Sequence, residues 1–418
     1  MTFIADLHVH SKYAYATSKH LSLENLAHWA KLKGIDLLAC GDFTHPAWLA
    51  EIAEKLEDGE NGLYRFQGTN FVLGTEVSCV YRQEERQRRV HILLFLPDMP
   101  SAARLISELA RFGKLEGDGR PTLKLSARDL SELALGINPQ CLVIPAHVWT
   151  PWYGLYGSKS GFDRLEDAFL DMAKHIHAVE TGLSSDPAMN WMVPQLSNKT
   201  IVSFSDAHSL PKLGREVTVF DAPLSYSGLS QALAENLVAY TAEFYPQEGK
   251  YHYDGHRKCS VSQHPSKTDR RGVACPVCDR PLTLGVLNRV AYVAQQAEDP
   301  SVPAQLPKKW AGVPDSEGFV RSPDGRSPFI RLLPLQEIIA VLWRRGPATK
   351  AVQKEYMRLV AQLGNELELL VWAKERDLAS VAGEELARAI FKARLGHIRV
   401  DPGYDGVYGR VSLVSDAD

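Results

Sequence analysis

Asp6-Leu7-His8-Val9-His10 ends the first apolar run of the chain, which begins at Phe3. The run predicts a β-strand, and two histidines one residue apart on a strand point to the same face. His8 and His10 can therefore bind one metal ion together. Far along the same half of the chain, Asp206 and His208 repeat this spacing. The two pairs predict a metal site built on strand ends.

Five further segments carry histidine or carboxylate side chains, and most stand where an apolar run stops. They are residues 41–45, 74–76, 90–91, 145–147 and 179–180. A barrel of parallel strands brings its strand ends to one rim, where these side chains would surround one point. A single histidine is more often a buried residue bonded to the backbone, but coincidence does not explain the whole set. The pattern predicts a multinuclear metal site and therefore an enzyme.

Strand-like and helix-like segments alternate through the first half of the chain. The predicted strands cover residues 3–9, 36–40, 71–80, 90–96, 141–145, 178–181 and 200–204. Helical patterns lie between them, and in the first of these Ser22 can cap the N-terminus while Gly34 can end the helix. Regular alternation predicts a parallel sheet or barrel. Seven strands indicate an α/β fold, a seven-fold variant of a βα barrel.

The remainder of the chain differs in composition, and at 418 residues the chain is too long for one core. We predict a metal-dependent barrel domain over 1–243, a zinc-binding module over 244–298, an irregular connector over 299–334 and a mainly helical C-terminal domain over 335–418. An apolar fraction of 45% and a charged fraction of 23% are typical of a soluble globular protein, and a net charge of −3 does not indicate a nucleic-acid partner. The N-terminus has no secretion signal, and no stretch is apolar enough to span a bilayer. We therefore expect a cytoplasmic protein.

The zinc-binding module is predicted from Cys275 and Cys278, whose spacing lets both thiolates bind one ion. His256 and Cys259 offer the same spacing upstream, which gives four ligands for structural Zn²⁺. His264 competes with His256 as the fourth ligand, although its spacing from Cys259 is looser.

The first half resembles the polymerase and histidinol phosphatase (PHP) superfamily in its first and last motifs, residues 6–11 and 206–208. Members are phosphoesterases on a distorted seven-fold βα barrel with two or three metal ions. The resemblance implies catalytic metal ligands, namely His8, His10, Glu76, His91, His147, Asp206 and His208. The second motif departs from the usual pattern, because Phe43 stands where a ligand histidine is usual. Asp42, His45 or both are then the candidate ligands; the alternative is that Asp6 and Asp42 hydrogen bond to ligand side chains without binding metal themselves. Imidazole and carboxylate donors suit Zn²⁺, and Mg²⁺ or Mn²⁺ are alternatives for activity.

The loop after His147 is rich in aromatic residues and glycine. Its aromatic faces can stack an unpaired base, and its polar residues can hold phosphate; the equal alternative is a loop that packs on the barrel around its own tryptophans. The substrate-binding candidates near the rim are Trp149, Trp152, Tyr153, Ser158, Lys159, Glu180 and Ser184.

The whole chain resembles the endonuclease Q family. The segments that carry this resemblance are 16–19, 41–46, 147–152, 182–187, 204–209, 249–256 and 403–406. The family nicks DNA on the 5′ side of deaminated bases (uracil, hypoxanthine, xanthine) and of abasic sites. The resemblance implies a DNA-repair endonuclease that extrudes the damaged nucleotide by base flipping and hydrolyses the phosphodiester with metal-activated water.

The expected partner is double-stranded DNA with a damaged base, and the protein is expected to be a monomer. A sliding clamp is a candidate second partner, although no clamp-binding peptide is recognisable. The alternative function is a PHP-type phosphatase acting on a small phosphomonoester, which leaves the zinc module and C-terminal third without a role. A non-catalytic nucleic-acid-binding protein with structural metals is a further alternative.

Overall fold

The computed structural model describes residues 2–59, 61–298 and 313–413. Within them, the strands are β1 (Thr2–Asp6), β2 (Leu37–Ala39), β3 (Glu57–Asp58), β4 (Tyr64–Phe66), β5 (Thr69–Gln83), β6 (Arg86–Leu96), β7 (Thr122–Leu123), β8 (Leu142–Pro145), β9 (Ala178–Glu180), β10 (Thr200–Val202), β11 (Val217–Asp221), β12 (Val238–Glu243), β13 (Asp254–His256), β14 (Val261–Gln263), β15 (Phe319–Val320), β16 (Phe329–Arg331), β17 (Ile398–Asp401) and β18 (Arg410–Leu413).

The α-helices of the described residues are α1 (Leu23–Lys33), α2 (Pro46–Lys55), α3 (Met99–Leu109), α4 (Ala127–Ile137), α5 (Leu165–Phe169), α6 (Pro187–Trp191), α7 (Tyr226–Glu235), α8 (Pro265–Arg271), α9 (Val286–Glu298), α10 (Leu335–Leu342), α11 (Lys350–Leu363), α12 (Glu375–Ala382) and α13 (Glu384–Arg394). Short 3₁₀ turns cover Leu170–His175, Pro194–Leu196, Leu210–Lys212, Pro246–Glu248 and Arg257–Cys259, and Glu368–Trp372 is a π-helical turn. None of these helices is long and apolar enough to cross a lipid bilayer.

The predicted distorted seven-fold barrel is confirmed. Its strands follow the order β1, β2, β5, β6, β8, β9 and β10, and β1, β2 and β5 pair in parallel, as do β9 and β10. A parallel bridge between Val9 and Ala207 joins the ends of β10 and β1. Beside β8, the backbone N–H of Val148 donates to the carbonyl of Glu180 at the end of β9. The strand ends therefore meet at one rim.

One strand of the barrel runs against the predicted direction. β6 is antiparallel to both β5 and β8, and β5 and β6 form a long hairpin that turns at Glu84 and Glu85 instead of being joined by a helix. Both turn residues adopt positive φ, as a tight hairpin turn requires. As a result, the barrel is only partly parallel.

Helix α1 has the predicted ends. The Ser22 side chain accepts from the backbone N–H of Asn25, and Gly34 ends the helix at φ 84°. Two later helical segments are short. Helix α5 is followed directly by the 3₁₀ turn Leu170–His175, and helix α6 is followed by the 3₁₀ turn Pro194–Leu196.

Beyond the barrel, β11 and β12 were not predicted, and they extend the sheet from β1. The segment predicted to be irregular contains two short strands, and β16 pairs in parallel with β12; residues 299–312 of that segment lie outside the described part. The C-terminal region is mainly helical, as predicted. However, its end is a hairpin of β17 and β18 and not only a loop. The proposed domain boundaries remain predictions.

Two carboxyl groups are buried together behind the barrel. Glu243 Oε2 lies 2.9 Å from Ser203 Oγ, which also lies 3.2 Å from Glu216 Oε2. Burial raises the pKa of Glu243 to about 8, although hydrogen bonds from Thr241 and Ser203 oppose the shift. Burial and the neighbouring Glu243 also raise the pKa of Glu216 well above the usual carboxyl value. Glu243 is therefore mostly protonated in the folded protein near neutral pH.

This burial predicts that replacing Glu243 by Gln flattens the pH dependence of stability. A carboxyl group with a raised folded-state pKa stabilises the protein fully below its unfolded pKa of about 4.5, and this contribution is lost as the pH rises towards 8. Glu243→Gln, which mimics the neutral acid, should gain on the order of 3 kcal/mol relative to wild type between pH 5 and pH 9. Urea unfolding at both pH values measures this difference, with exposed Glu85→Gln as control. Parallel pH profiles for Glu243→Gln and wild type would contradict it.

Candidate functional site

The barrel brings residues from both ends of the first half of the chain to one point. His8 and His10 follow β1, and the bridge between Val9 and Ala207 sets Asp206 opposite them. His147 follows β8, as predicted. Glu76 and His91, by contrast, lie within the long hairpin of β5 and β6. Their predicted place at strand ends was therefore wrong, but the hairpin crosses the rim and delivers them to the same site.

Four of these side chains form a first cluster, whose ligand atoms all lie within 4.8 Å of one another. His10 Nε2 lies 3.1 Å from Asp206 Oδ1 and 3.3 Å from Glu76 Oε2. His8 Nε2 lies 3.4 Å from each of the same two carboxylates. Two imidazoles and two carboxylates thus face one small space.

A second cluster shares Glu76 with the first. Glu76 Oε1 lies 2.6 Å from His91 Nδ1 and 3.0 Å from His147 Nε2, and the three residues are buried. Oε2 of Glu76 therefore faces the first cluster, and Oε1 faces the second. A carboxylate in this position can bridge two metal ions.

The donor set fits metal ions. Imidazole nitrogen and carboxylate oxygen are ligands of Zn²⁺ and of other divalent transition metals. The buried Nε2 of His8 has no hydrogen-bond partner among the described residues, and an unsatisfied buried polar atom is costly. A cation bound between the carboxylates would satisfy that nitrogen.

The charges of the cluster also favour a cation. Burial opposes ionisation of Glu76, but the adjacent His91 and His8 imidazoles hold its pKa well below the usual carboxyl value. Burial likewise opposes ionisation of Asp206, and His8 and His10 lower its pKa overall. Burial lowers the pKa of His91 to about 4, against the pull of Glu76. At neutral pH the carboxylates are ionised and His91 is neutral. Burial disfavours the charged forms of His8 and His10, but the nearby carboxylates raise the pKa of both rings well above the usual imidazole value. A metal ion bound there would therefore displace a proton from each ring.

A second layer of polar groups fixes the histidine rings. His10 Nδ1 lies 2.9 Å from Asp42 Oδ1, and His8 Nδ1 lies 2.9 Å from Glu180 Oε1. His147 Nδ1 lies 2.9 Å from the Thr150 hydroxyl. Such partners set ring orientation and tautomer in metal sites.

These contacts change the roles of three predicted residues. Asp42 supports His10 and is not part of either cluster. His45 is also outside both clusters, because its ring packs on Tyr13 and its Nε2 bonds the Glu116 carbonyl. Glu180 is fully buried beneath His8, and its contact with substrate stays a prediction.

The support from Asp42 predicts a graded loss of function in Asp42→Asn. Because the amide is neutral and can present its NH₂ group, His10 would lose its anionic partner. Metal affinity should fall about 10- to 100-fold, while the fold is kept. Metal titration of the purified variant measures the change, and an unaltered affinity would show that Asp42 has no positioning role.

His208 stands at the edge of the first cluster. Its ring packs against that of His10 with centroids 4.6 Å apart, and its Nδ1 bonds the carbonyl oxygen of Asp206 at 3.0 Å. The ring is about one-third exposed. His208 is thus next to the ligand groups but outside the tight cluster of four.

Arg120 is a site residue that the sequence patterns did not indicate. Its Nη1 donates to Glu76 Oε2 at 3.2 Å. Burial disfavours the Arg120 charge, but Glu76 and Asp206 raise its pKa overall. It lies in an irregular segment between α3 and β7, where no periodicity marks it. Only the folded chain brings this cation to the site.

A pocket of about 500 Å³ opens over the two clusters. Its lining includes Arg120, Trp152, Tyr153 and Ser184. Tyr153 packs on His91, with ring centroids 4.3 Å apart. Trp152 remains 40% exposed, so its face is available to a bound group.

Trp149, unlike Trp152, does not line the pocket. Its side chain is buried, its indole N–H donates to Asn190 Oδ1 at 2.8 Å, and its ring stacks on Tyr156. The structure thus places Trp149 in the core of the loop and outside the pocket lining, and its substrate contact stays a prediction. The aromatic loop combines both alternatives, because Trp149 forms its core and Trp152 faces the pocket.

A larger cavity of about 990 Å³ lies on the other side of Trp152. Ser158 and Lys159 line it, and so do Arg86 and Arg89 from β6. Lys159 and Arg86 are exposed. The cavity therefore presents cationic side chains directly beside the metal pocket.

The predicted cysteine site assembles as a separate cluster. His256, Cys259, Cys275 and Cys278 hold their ligand atoms within 4.8 Å of one another, and His256 Nδ1 lies 3.4 Å from Cys278 Sγ. Burial would raise the pKa of Cys275, but the backbone N–H groups of Val277 and Cys278 lower it to about 6. The set matches a closed structural zinc site.

His264 is not part of this cluster. Its Nδ1 lies 2.9 Å from the Ser266 hydroxyl, where it caps helix α8. Of the two predicted alternatives for the fourth ligand, only His256 is brought to the cysteines.

Solved structures and a curated relative match nearly the whole chain. A lesion-specific endonuclease from Pyrococcus furiosus, PfuEndoQ, superposes with a TM-score of 0.84 and 29% identity, covering 100% of this chain and 96% of that one. An endonuclease Q in complex with a 27-mer duplex carrying an abasic lesion gives a TM-score of 0.82 and 29% identity, over 100% and 98% of the two chains. The uncharacterized protein YqxK of Bacillus subtilis (strain 168) is 28% identical over 97% of this chain and 98% of its own. Residues 334–397 match the family described as the MJ0043 C-terminal domain.

Proposed function

The chain belongs to the endonuclease Q family, and from this premise we propose that it is a metal-dependent DNA-repair endonuclease. The observation that carries the proposal is the position of Glu76, whose two oxygens face two adjacent ligand clusters at the base of one pocket. Two-metal sites of this kind hydrolyse phosphate esters. The full-length similarity to an endonuclease Q bound to a lesion-containing duplex supports DNA as the substrate.

The residues of the site have different roles in phosphodiester hydrolysis. His8, His10, Glu76 and Asp206 would hold one metal ion and Glu76, His91 and His147 a second; Zn²⁺ fits the donors, and Mg²⁺ or Mn²⁺ are alternatives. When bound, such ions would supply an activated water and positive charge for the phosphate. Arg120 adds a fixed positive charge at the same point, where it can bind a phosphate oxygen. Asp42 and Glu180 keep His10 and His8 in orientation.

The other pocket residues serve the damaged nucleotide. Trp152 offers an exposed aromatic face on which an extruded base can stack, and Ser184 offers a hydroxyl that can hydrogen bond to it. Tyr153 is held against His91 and limits the depth of the pocket. The finer proposal is cleavage on the 5′ side of uracil, hypoxanthine, xanthine and abasic sites, where a weakened base pair lowers the cost of extrusion.

Ser158 and Lys159 are proposed to hold the DNA backbone beside the scissile phosphate. Trp152 lines both the metal pocket and the cavity that these two residues line. Lys159 has no carboxylate within ion-pair distance among the described residues, so its charge is available to phosphate.

A substrate panel tests the proposal. Purified protein, supplied in turn with Zn²⁺, Mg²⁺ and Mn²⁺, is incubated with end-labelled duplexes that carry one uracil, hypoxanthine, xanthine or abasic site. We expect nicking at the lesion in at least one metal and an intact undamaged duplex. A chromogenic phosphomonoester is tested in parallel. Turnover of that ester without any nick would replace the proposal by the phosphatase alternative.

A further inference from the structure

Two exposed apolar side chains project from a loop whose backbone is held by hydrogen bonds. The loop, residues 402–409, joins β17 to β18 and has the sequence Pro-Gly-Tyr-Asp-Gly-Val-Tyr-Gly. Within it, Val407 is 38% exposed and Tyr408 is 67% exposed. Exposing a tyrosine to this degree contributes little to folding, so the position of these side chains calls for another explanation.

The backbone of the 402–409 loop has a fixed shape. Tyr404 and Val407 exchange backbone hydrogen bonds of 3.0 and 2.8 Å around Asp405 and Gly406. Both turn residues have positive φ, 43° and 85°, as a tight two-residue hairpin turn requires. The turn therefore sets the direction in which the following residues point.

The loop is also anchored to the segment that begins the zinc module. The N–H of Gly403 donates to the Gln247 carbonyl, and that of Gly406 donates to the Lys250 carbonyl. The Asp405 carboxylate accepts from the Arg257 backbone N–H at 2.7 Å and from the Thr283 hydroxyl at 2.6 Å. A loop held in this way loses little entropy when its exposed side chains contact a partner.

The anchoring places the loop beside the metal pocket. Trp152, which lines that pocket, meets Tyr251 edge to face, with ring centroids 5.5 Å apart. The hydroxyl of Tyr251 lies 3.6 Å from the point where a side chain on Gly406 would begin. Tyr408 is two residues further along, and the Lys250 ammonium lies 4.4 Å from the centre of its ring. Tyr251 thus contacts the pocket residue Trp152 on one side and approaches the loop that carries Val407 and Tyr408 on the other.

We propose that Val407 and Tyr408 form a wedge that enters the base stack of duplex DNA next to the nucleotide held in the pocket. The inference rests on the proposed endonuclease function. Apolar side chains inserted between base steps unstack them and kink the duplex, and an aromatic face replaces part of the stacking that the extruded nucleotide loses. Lys250 lies where it can contact the phosphate beside the opened step. Val407 and Tyr408 are thus positioning residues, required when the substrate is stacked in a duplex.

A wedge should increase the rate of nicking of duplex DNA and should not affect the rate of nicking of single strands. In the double variant Val407→Ala/Tyr408→Ala, nicking of an abasic-site duplex should fall about 10- to 100-fold, because opening a base step costs a few kcal/mol and 1.4 kcal/mol is tenfold. Nicking of the same strand without its complement should stay within about twofold of wild type. The single variant Tyr408→Trp, which keeps a large aromatic side chain, should retain duplex activity. Trp343→Ala, which removes an aromatic that is 39% exposed on the helical region, is the control.

A second measurement does not depend on strand cleavage. A 2-aminopurine base is placed opposite the lesion, where its fluorescence reports unstacking when the protein binds. Wild type should raise the signal and the double variant should not. If wild type unstacks the duplex without nicking, the endonuclease proposal fails and the wedge stands. If the double variant unstacks and nicks the duplex as wild type does, or loses activity equally on single strands, the wedge is overturned.

Discussion

Glu76→Gln should reduce nicking of a lesion-containing duplex by roughly 10³-fold or more, because the change removes the charge that both ligand clusters share. In wild type, one oxygen of Glu76 faces His8 and His10, and the other faces His91 and His147. The amide would turn its NH₂ group towards one cluster and would repel a cation there. Single-turnover nicking rates and the metal content of the purified protein, determined by mass spectrometry, measure the two consequences.

The matched control is Glu57→Gln, which neutralises an exposed carboxylate on β3. It should keep both wild-type activity and metal content. A Glu76→Gln enzyme that nicks within about tenfold of wild type with unchanged metal content would contradict the bridging role.

A pair of histidine variants should separate the two candidate ligands of the zinc module. His256→Ala should lose the structural metal ion and lower the unfolding temperature by about 10 °C or more, since structural Zn²⁺ supplies much of the folding free energy of small modules. His264→Ala should keep the ion, because His264 bonds Ser266 instead of facing the cysteines. Zinc content by colorimetric titration and the thermal transition of each variant test the pair.

The reverse result would mean a different ligand set. Loss of zinc from His264→Ala, with zinc retained in His256→Ala, would show that His264 is the fourth ligand. Cys278→Ala should behave as His256→Ala does, whereas Asp279→Asn, one residue away, should leave zinc in place.

Short-range patterns were sufficient to predict most of the side chains that the fold brings together in the two clusters. The spacing in His8-Val9-His10 and in Asp206-Ala207-His208 follows from the two-residue period of extended backbone, and the structure brings both pairs to one rim. The cysteine pair and His256 could be identified for a similar reason, because the geometry of a tight turn limits which spacings can bind one ion. The ends of α1 were equally local, since Ser22 and Gly34 act on adjacent backbone groups.

Features that depend on tertiary contacts could not be predicted. Whether Glu180 faced substrate or supported His8 depended on which strand lies beside β9. Trp149 and Trp152 are the same residue type, but Trp149 is buried and Trp152 is exposed. The direction of β6 was missed because an apolar strand reads the same in both orientations. Arg120 was missed because it lies in an irregular segment that only the fold brings to Glu76.

The most direct test of the central claim is the position of cleavage on one labelled duplex with a single abasic site. Wild-type protein with its divalent metal should give one product that ends on the 5′ side of the lesion, and Glu76→Gln should give none. An undamaged duplex of the same sequence should stay intact. An unbroken lesion strand with every metal tested, or equal nicking of damaged and undamaged duplexes, would contradict a lesion-directed, metal-dependent endonuclease.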